Sequence, residues 1–354
     1  MFVRSFLIKV FGRERLHDFM RMFNSFLITI SIPFSYNSFL STIYYMIFGN
    51  SLANEAKISL LGRINYRSKK NYNLALLKRN IHRIEKGLVM RPRKDDFAAE
   101  YIIQTVKLFS CQCKHCTFDM KKWTYDVLTE YFSVVIHQNI NIITAYDIYL
   151  QITLEDNDVC SHLAMKPYKL SDRKNNPVDY EQLKMLCLYR KSVRSFLAIQ
   201  VEIEKLEQAI KIASLAPSAC NRQPFKYFVM RKPEVAREVA KLAMGTSGFV
   251  NEINCLIAVV GDLSCFDMPY DRHLIYIDSS LSTMQLLLAF ETLGLSSCVL
   301  NWPDISKKDK IISSKLNLKN YEKVVFLIAV GYANPEALTP FSCKKNVLEL
   351  LVEI

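Results

Sequence analysis

The second half of the chain alternates short apolar runs with segments of helical period, and this alternation leaves few folds open. Cys255 to Val260, Ser297 to Leu300 and Val324 to Val330 are nearly continuous apolar runs, and Phe225 to Met230 is rich in aromatic and β-branched residues. Runs of this length read as strands, and a strand without polar alternation is buried on both faces. Between them lie helical patterns. Val201 to Leu215 carries Ile203, Leu206, Ile210, Ile212 and Ala213, with glutamates in its first turn, where the helix dipole favours them. Pro233 to Met244 opens on proline, and Leu274 to Leu293 is a long apolar helix that Gly294 stops. The pattern predicts an α+β fold: a sheet covered by helices on both faces. Only 9 glycines are present, and neither GxGxxG nor GxxxxGK[ST] occurs, so no glycine-rich phosphate cradle is expected.

The first half is organised differently. The formal net charge is +12, and Met1 to Lys122 holds 21 basic against 8 acidic residues. From Thr124 onward the signs nearly balance, at 25 against 26. Met22 to Asn54 contains no charged residue, and Lys57 to Lys94 then carries 12 basic residues and one acidic, Glu85. An uncharged aromatic stretch beside a polybasic belt suits an anionic membrane surface. An arm packed on the protein's own core or on a partner, and a membrane span, are the alternative readings. Asn71 to Ala164 reads mainly helical, with Leu74, Leu77, Ile81 and Ile84 at helical spacing. Lys166 to Tyr180, with two prolines and several Asp and Asn residues, reads as a linker. The expected division is a basic arm (1–70), a helical extension (71–165) and a globular domain (181–354). The ten cysteines do not form a disulfide scaffold in a chain this long, and the first residues lack a cleavage pattern. A cytoplasmic protein is the expectation, with association at the inner face of the cytoplasmic membrane as a further reading. Deletion of Met1 to Lys70 is expected to abolish membrane association before cofactor binding.

Three strings in the globular half carry chemistry. Arg190-Lys191-Ser192-Val193-Arg194 places cations and a hydroxyl within five residues, a combination that can clamp a phosphate. Ala216-Pro217-Ser218-Ala219-Cys220-Asn221-Arg222-Gln223-Pro224 is a loop stiffened by proline at both ends. Its Ser218, Asn221 and Gln223 offer donors and acceptors with little entropy left to lose. Asp278-Ser279, within the long helix, leads to Leu293-Gly294-Leu295-Ser296-Ser297-Cys298 and Leu300-Asn301-Trp302, a string that reads as mostly structural.

In this order, with the late strand ending Ile328-Ala329-Val330-Gly331-Tyr332, these strings resemble the nitroreductase family of flavoenzymes. The resemblance covers Leu188 to the end. It implies a central mixed or antiparallel sheet flanked by helices, and a homodimer with one FMN at each subunit interface. It also implies ping-pong hydride transfer from NAD(P)H through flavin N5 to a small-molecule electron acceptor. Carried over by position, Arg190, Lys191 and Ser192 hold the phosphate and ribityl end. Arg194 lies at the flavin N1–C2 edge, where a fixed cation stabilises the charge of the reduced ring. Pro217, Ser218, Asn221 and Gln223 touch the ring or ribityl chain, and Lys344 of Ser342-Cys343-Lys344 adds a phosphate contact where the family usually has arginine. Lysine keeps the charge there and loses the bidentate fork. His82-Arg83-Ile84-Glu85-Lys86-Gly87-Leu88 and Leu300-Asn301-Trp302 further resemble a bacterial subgroup associated with surface-polysaccharide loci. A flavin-fold scaffold without turnover, in a membrane-proximal glycan assembly complex, is the alternative reading.

Other features carry less. Cys111, Cys113, His115 and Cys116 are crowded like metal ligands, yet the spacing fits no common zinc or iron–sulfur pattern, and no metal is expected. His82 and Glu85, three apart on one helix face, form either a local hydrogen-bonded pair or part of a substrate pocket. The basic belt matches no nucleic-acid module, and no nucleic-acid partner is expected.

Overall fold

The structure, a computed structural model, describes Asp18, Phe19, Met22, Phe26 and residues 28–48, 50–69, 72–136, 139–153 and 164–354. The chain divides into two compact units, residues 1–57 with 304–306, and residues 58–303 with 307–354.

In the first unit a short 3-10 turn, Ile32–Ser35, leads to helix α1 (Ser38–Phe48). The hydroxyl of Ser41 donates to the Phe34 carbonyl at 2.7 Å, and the Phe34 and Tyr44 rings lie 5.5 Å apart. Phe39, Tyr45, Met46 and Ile47 remain exposed. Among the described residues no helix is long and apolar enough to cross a membrane. Helix α2 (Asn50–Ser68) follows, and residues 58–68 of it belong to the second unit.

The second unit contains a four-helix extension with a core of its own. Helix α3 (Leu74–Val89) is capped by Asn73, whose side-chain oxygen accepts from the Leu76 N–H at 3.0 Å. Its Leu77, Ile81, Ile84 and Leu88 form one buried face, as their spacing requires. Helices α4 (Ile102–Gln112), α5 (Phe118–Val134) and α6 (Ile140–Leu150) close over that face with Val106, Phe109, Leu128, Tyr131, Ile142 and Tyr149. The HRIEKGL string is largely accounted for here. Ile84 and Leu88 are core, the Arg83 guanidinium stacks 3.9 Å from the Tyr101 ring centre, and Gly87 leaves room for the Phe97 ring.

Residues 166–180 form an exposed connection with a single 3-10 turn, Leu170–Asp172. Helix α7 (Tyr180–Tyr189) follows. It buries none of its residues and is opened by an Asp179/Gln182 capping box. Helix α8 (Ile203–Ala213), strand β1 (Phe225–Met230), helix α9 (Pro233–Ala240), strand β2 (Cys255–Asp262), helix α10 (Leu274–Thr292), strand β3 (Ser296–Asn301), helix α11 (Ser306–Leu316) and strand β4 (Glu322–Gly331) follow in order. The sheet has the order β1-β2-β4-β3, and every pairing is antiparallel.

Strand β2 explains why its sequence lacks alternation. Leu256, Ala258 and Val260 enter one core with Ala236, Val239 and Trp302. Cys255, Ile257 and Val259 enter another with Leu206, Ala209, Leu286 and Phe290. Both faces are dry, so both residue sets must be apolar. Gly261 is required by a close approach: a β-carbon there would lie 2.7 Å from Cβ of Ile275 on α10. Gly294 ends α10 with φ +73°, a left-handed cap that glycine adopts without strain.

Candidate functional site

Arg190, Lys191, Ser192 and Lys344 line one open cleft of about 740 Å³. Helix α7 ends at Tyr189, with Arg190 as its cap, and the chain then crosses the end of β3. Ser192 bridges Ser297 in parallel, and the Val193 N–H donates to the Ser297 carbonyl at 3.1 Å. These bonds anchor the cationic string to a sheet edge. The chain after β4 returns through Pro340, Phe341 and Ser342 to bring Lys344 across the same opening. Among the described residues none of Arg190, Lys191 and Lys344 makes an ion pair. Three cations outside any ion pair and a hydroxyl around one cleft suit a dianionic phosphate. Arg194 is exposed outside this lining, and its guanidinium donates to the Ser192 carbonyl at 3.2 Å.

Glu291 lies beneath this string on the last turn of α10, and the sequence reading missed it. It is 8% exposed and accepts from the Ser296 hydroxyl at 3.3 Å. Burial pushes its carboxyl up to about 6, against the opposing pull of Ser296 and of the Arg190 charge. No local signal marks it, because a glutamate near a helix end is ordinarily solvated.

Pro217, Ser218, Asn221 and Gln223 belong to a second cluster at the opposite end of α10. Their loop is unusually bent: Cys220, Asn221 and Gln223 all hold φ near +50°. Non-glycine residues adopt this region at a cost, which surrounding bonds must offset. Asp278, in the first turns of α10, supplies one such bond by accepting from the Ala219 N–H at 3.0 Å. Burial raises its carboxyl above the usual aspartate range, while the Ala219 N–H and the Arg222 charge oppose this. The Ser218 hydroxyl accepts from the Gln223 N–H at 3.1 Å, and the Gln223 side-chain amide donates to the Ser214 carbonyl at 2.9 Å. Arg222 is buried, 4.9 Å from the Phe266 ring centre and 3.9 Å from Asp271. Asn221 and Pro217 face solvent.

The helical extension reaches this loop. The Lys78 ammonium on α3 donates to the Gln223 side-chain oxygen at 3.5 Å. On the same helix face His82 Nδ1 lies 3.4 Å from Glu85, whose other oxygen accepts from the Trp123 indole N–H at 2.9 Å. The local pairing of His82 with Glu85 is therefore present. Cys113 and His115 form a 3-10 turn after α4, and among the described residues no group of three or more His, Cys, Asp or Glu is arranged to hold a metal.

Fold and site together define an α+β protein with a cationic cleft at one end of its central helix and a strained, proline-bounded loop at the other. Residues 188–247 and 243–332 match the Nitroreductase family. A relative from Archaeoglobus fulgidus, whose name pairs NADH dehydrogenase with NAD(P)H nitroreductase, is 30% identical over 156 residues, 44% of this chain and 87% of that protein. The chain belongs to the nitroreductase family of oxidoreductases. An iodotyrosine deiodinase of Thermotoga neapolitana is 23% identical over 167 residues, covering 40% of this chain and 84% of that one. Among solved structures, one described as an FMN-dependent nitroreductase from Clostridium difficile aligns with a TM-score of 0.39 at 24% identity, over 44% of this chain and 90% of its own.

Proposed function

We propose that the chain is an FMN-dependent oxidoreductase that takes hydride from NAD(P)H and passes electrons to a small-molecule acceptor. The observation that carries this is the gathering of Arg190, Lys191 and Ser192 with Lys344, 154 positions after Arg190, around one cleft. Their chemistry fits the phosphate of FMN. The bound flavin would supply the hydride-accepting centre. The chain's own residues bind and orient. Arg190, Lys191 and Lys344 neutralise the phosphate, and Ser192 donates to it. Arg194 brings a cation to the N1–C2 edge. Asp278 holds the proline-bounded loop, whose Pro217, Ser218, Asn221 and Gln223 cover the ring and keep water off it. The name of the Archaeoglobus relative supports NAD(P)H as reductant.

A homodimer completes this reading. Asp278 at the loop and Glu291 at the cationic string are 13 residues apart on α10, roughly 20 Å at 1.5 Å per residue. An isologous pair packing α10 antiparallel would bring the loop end of one copy to the cleft end of the other. Ile277, Leu281 and Met284 form an exposed apolar stripe along α10 that suits such a contact.

The uncharged stretch of residues 22–54 and the basic belt after it support peripheral docking on an anionic membrane, and the HRIEKGL and LNW strings support a role in surface-polysaccharide assembly. Purification of the full chain tests the central reading. A yellow protein that releases FMN on acid precipitation and bleaches with NADH or NADPH is expected. A colourless protein that FMN cannot reconstitute refutes it. Bound FMN without bleaching would favour the scaffold reading.

A further inference from the structure

We propose that Lys78, carried by the helical extension, reads an anionic group, carboxylate or phosphate, on the electron acceptor. This rests on the flavin reading above, because it takes the Pro217–Gln223 loop as one wall of the ring site.

Lys78 is partly buried, and the one hydrogen bond it makes among the described residues, to Gln223, stands at 3.5 Å, the outer limit for such a contact. Among the described residues no carboxylate pairs with it. Its charged neighbourhood offers nothing better. Cys265 and Cys116 are the groups that would balance it if ionised, but burial pushes the Cys265 thiol up to about 12 and raises that of Cys116, so both are neutral. Arg222, across the same loop, adds a second buried cation whose acid, Asp271, is 3.9 Å away. Buried cations are ordinarily paired. A lysine drawn out of water against an amide oxygen is therefore a lysine short of an anion.

The surroundings hold that cation in a defined direction. Gln223 cannot swing away, since its Nε2 is engaged by the Ser214 carbonyl. Lys78, His82 and Glu85 follow one another at i, i+4 and i+7, so they share a face of α3. Glu85, fixed by Trp123, holds Nδ1 of the His82 ring toward the C-terminal side of α3, away from Lys78. Nε2 is the other polar edge of this partly exposed imidazole, one turn along the same helix face from Lys78. An ammonium and an imidazole edge over a loop rich in amides make a receptor for a small anion, one the sequence of the globular domain does not encode by itself.

Isothermal titration of the flavin-loaded protein with benzoate, phenyl phosphate and benzamide tests this. Benzoate and benzamide are nearly isosteric and differ in charge. The wild type is expected to bind at least one of the two anions about 10- to 100-fold tighter than benzamide, the usual worth of a charge-assisted hydrogen bond. Lys78→Met should erase that preference, and Lys78→Arg should retain most of it. The anion that wins identifies the group. Equal binding of all three ligands, absence of binding, or a Lys78→Met protein that keeps the preference overturns the proposal. A Met variant that fails to fold leaves the Arg variant and the wild-type ligand series to decide. Failure of the flavin reading is separately visible as wild-type protein without FMN.

Discussion

Glutamine at position 291 should change how stability depends on pH, and the size of the change follows from burial. The Glu291 carboxyl is pushed from an ordinary 4.5 up to about 6 in the folded chain. A carboxyl whose folded value lies above its unfolded value favours folding only while protonated. Its contribution is present in full below pH 4.5 and is lost as pH rises through 6. A shift of about 1.5 units at about 1.4 kcal/mol per unit corresponds to about 2 kcal/mol lost across that window. Little screening reduces this figure, since Glu291 is only 8% exposed. Glu291→Gln keeps the shape and an acceptor for the Ser296 hydroxyl but cannot ionise. Its amide N–H₂ would meet the position of the Glu291 oxygen that now lacks a partner, a cost that does not vary with pH. Urea unfolding of flavin-free wild type and variant at pH 4.5, 6 and 7.5 separates the two effects. The variant should gain about 2 kcal/mol relative to wild type between pH 4.5 and 7.5. Asp278, also raised by burial, is common to both proteins and cancels. A difference between the proteins that is flat across this range refutes the argument, because it would mean that Glu291 titrates alike in folded and unfolded chains.

Three further outcomes follow from other parts of the structure. Arg190→Ala should weaken FMN binding by roughly 10- to 100-fold in a fluorescence titration, and unchanged affinity would remove the cleft as the phosphate site. Gly261→Ala drives a methyl to 2.7 Å from Cβ of Ile275, and calorimetry should record a loss of about 1–3 kcal/mol, whereas an unchanged melting temperature would mean that α10 and β2 are not so close. A chain starting at Ile58 keeps that residue against Leu263 and Phe266 and keeps most of the basic belt, so it should retain FMN while sedimenting less with phosphatidylglycerol vesicles. Retained sedimentation would move the membrane contact out of residues 1–57.

Much of the globular half was legible because its signals are local. Strand β1 matches its sequence bounds, β2 to β4 lie within one or two residues of theirs at most ends, and Gly294 stops α10 where expected. Helices α7 and α11 were not legible. The first carries Leu183, Met185 and Leu188 that the chain leaves exposed, and the second buries only Ile312, so burial within the chain does not mark them and capping or tertiary placement decides them. The antiparallel pairing of two-sided strands was also open in sequence, since a continuous apolar run reports burial and not direction.

The candidate site divides along the same line. The sequence by itself determined which residue types are present: the cations of 190–194, the proline-bounded loop and the basic first third. Those properties are written in neighbouring residues. Only the tertiary structure decided which of them meet. It joined Lys344 to Arg190, set the loop and the cationic string at opposite ends of α10, buried Glu291, and laid Lys78 against Gln223, 145 residues away in the chain. The physical reason is one of range. A cap, a turn or an apolar stripe depends on residues within a turn or two. The charge balance around a buried ammonium depends on every element packed against it.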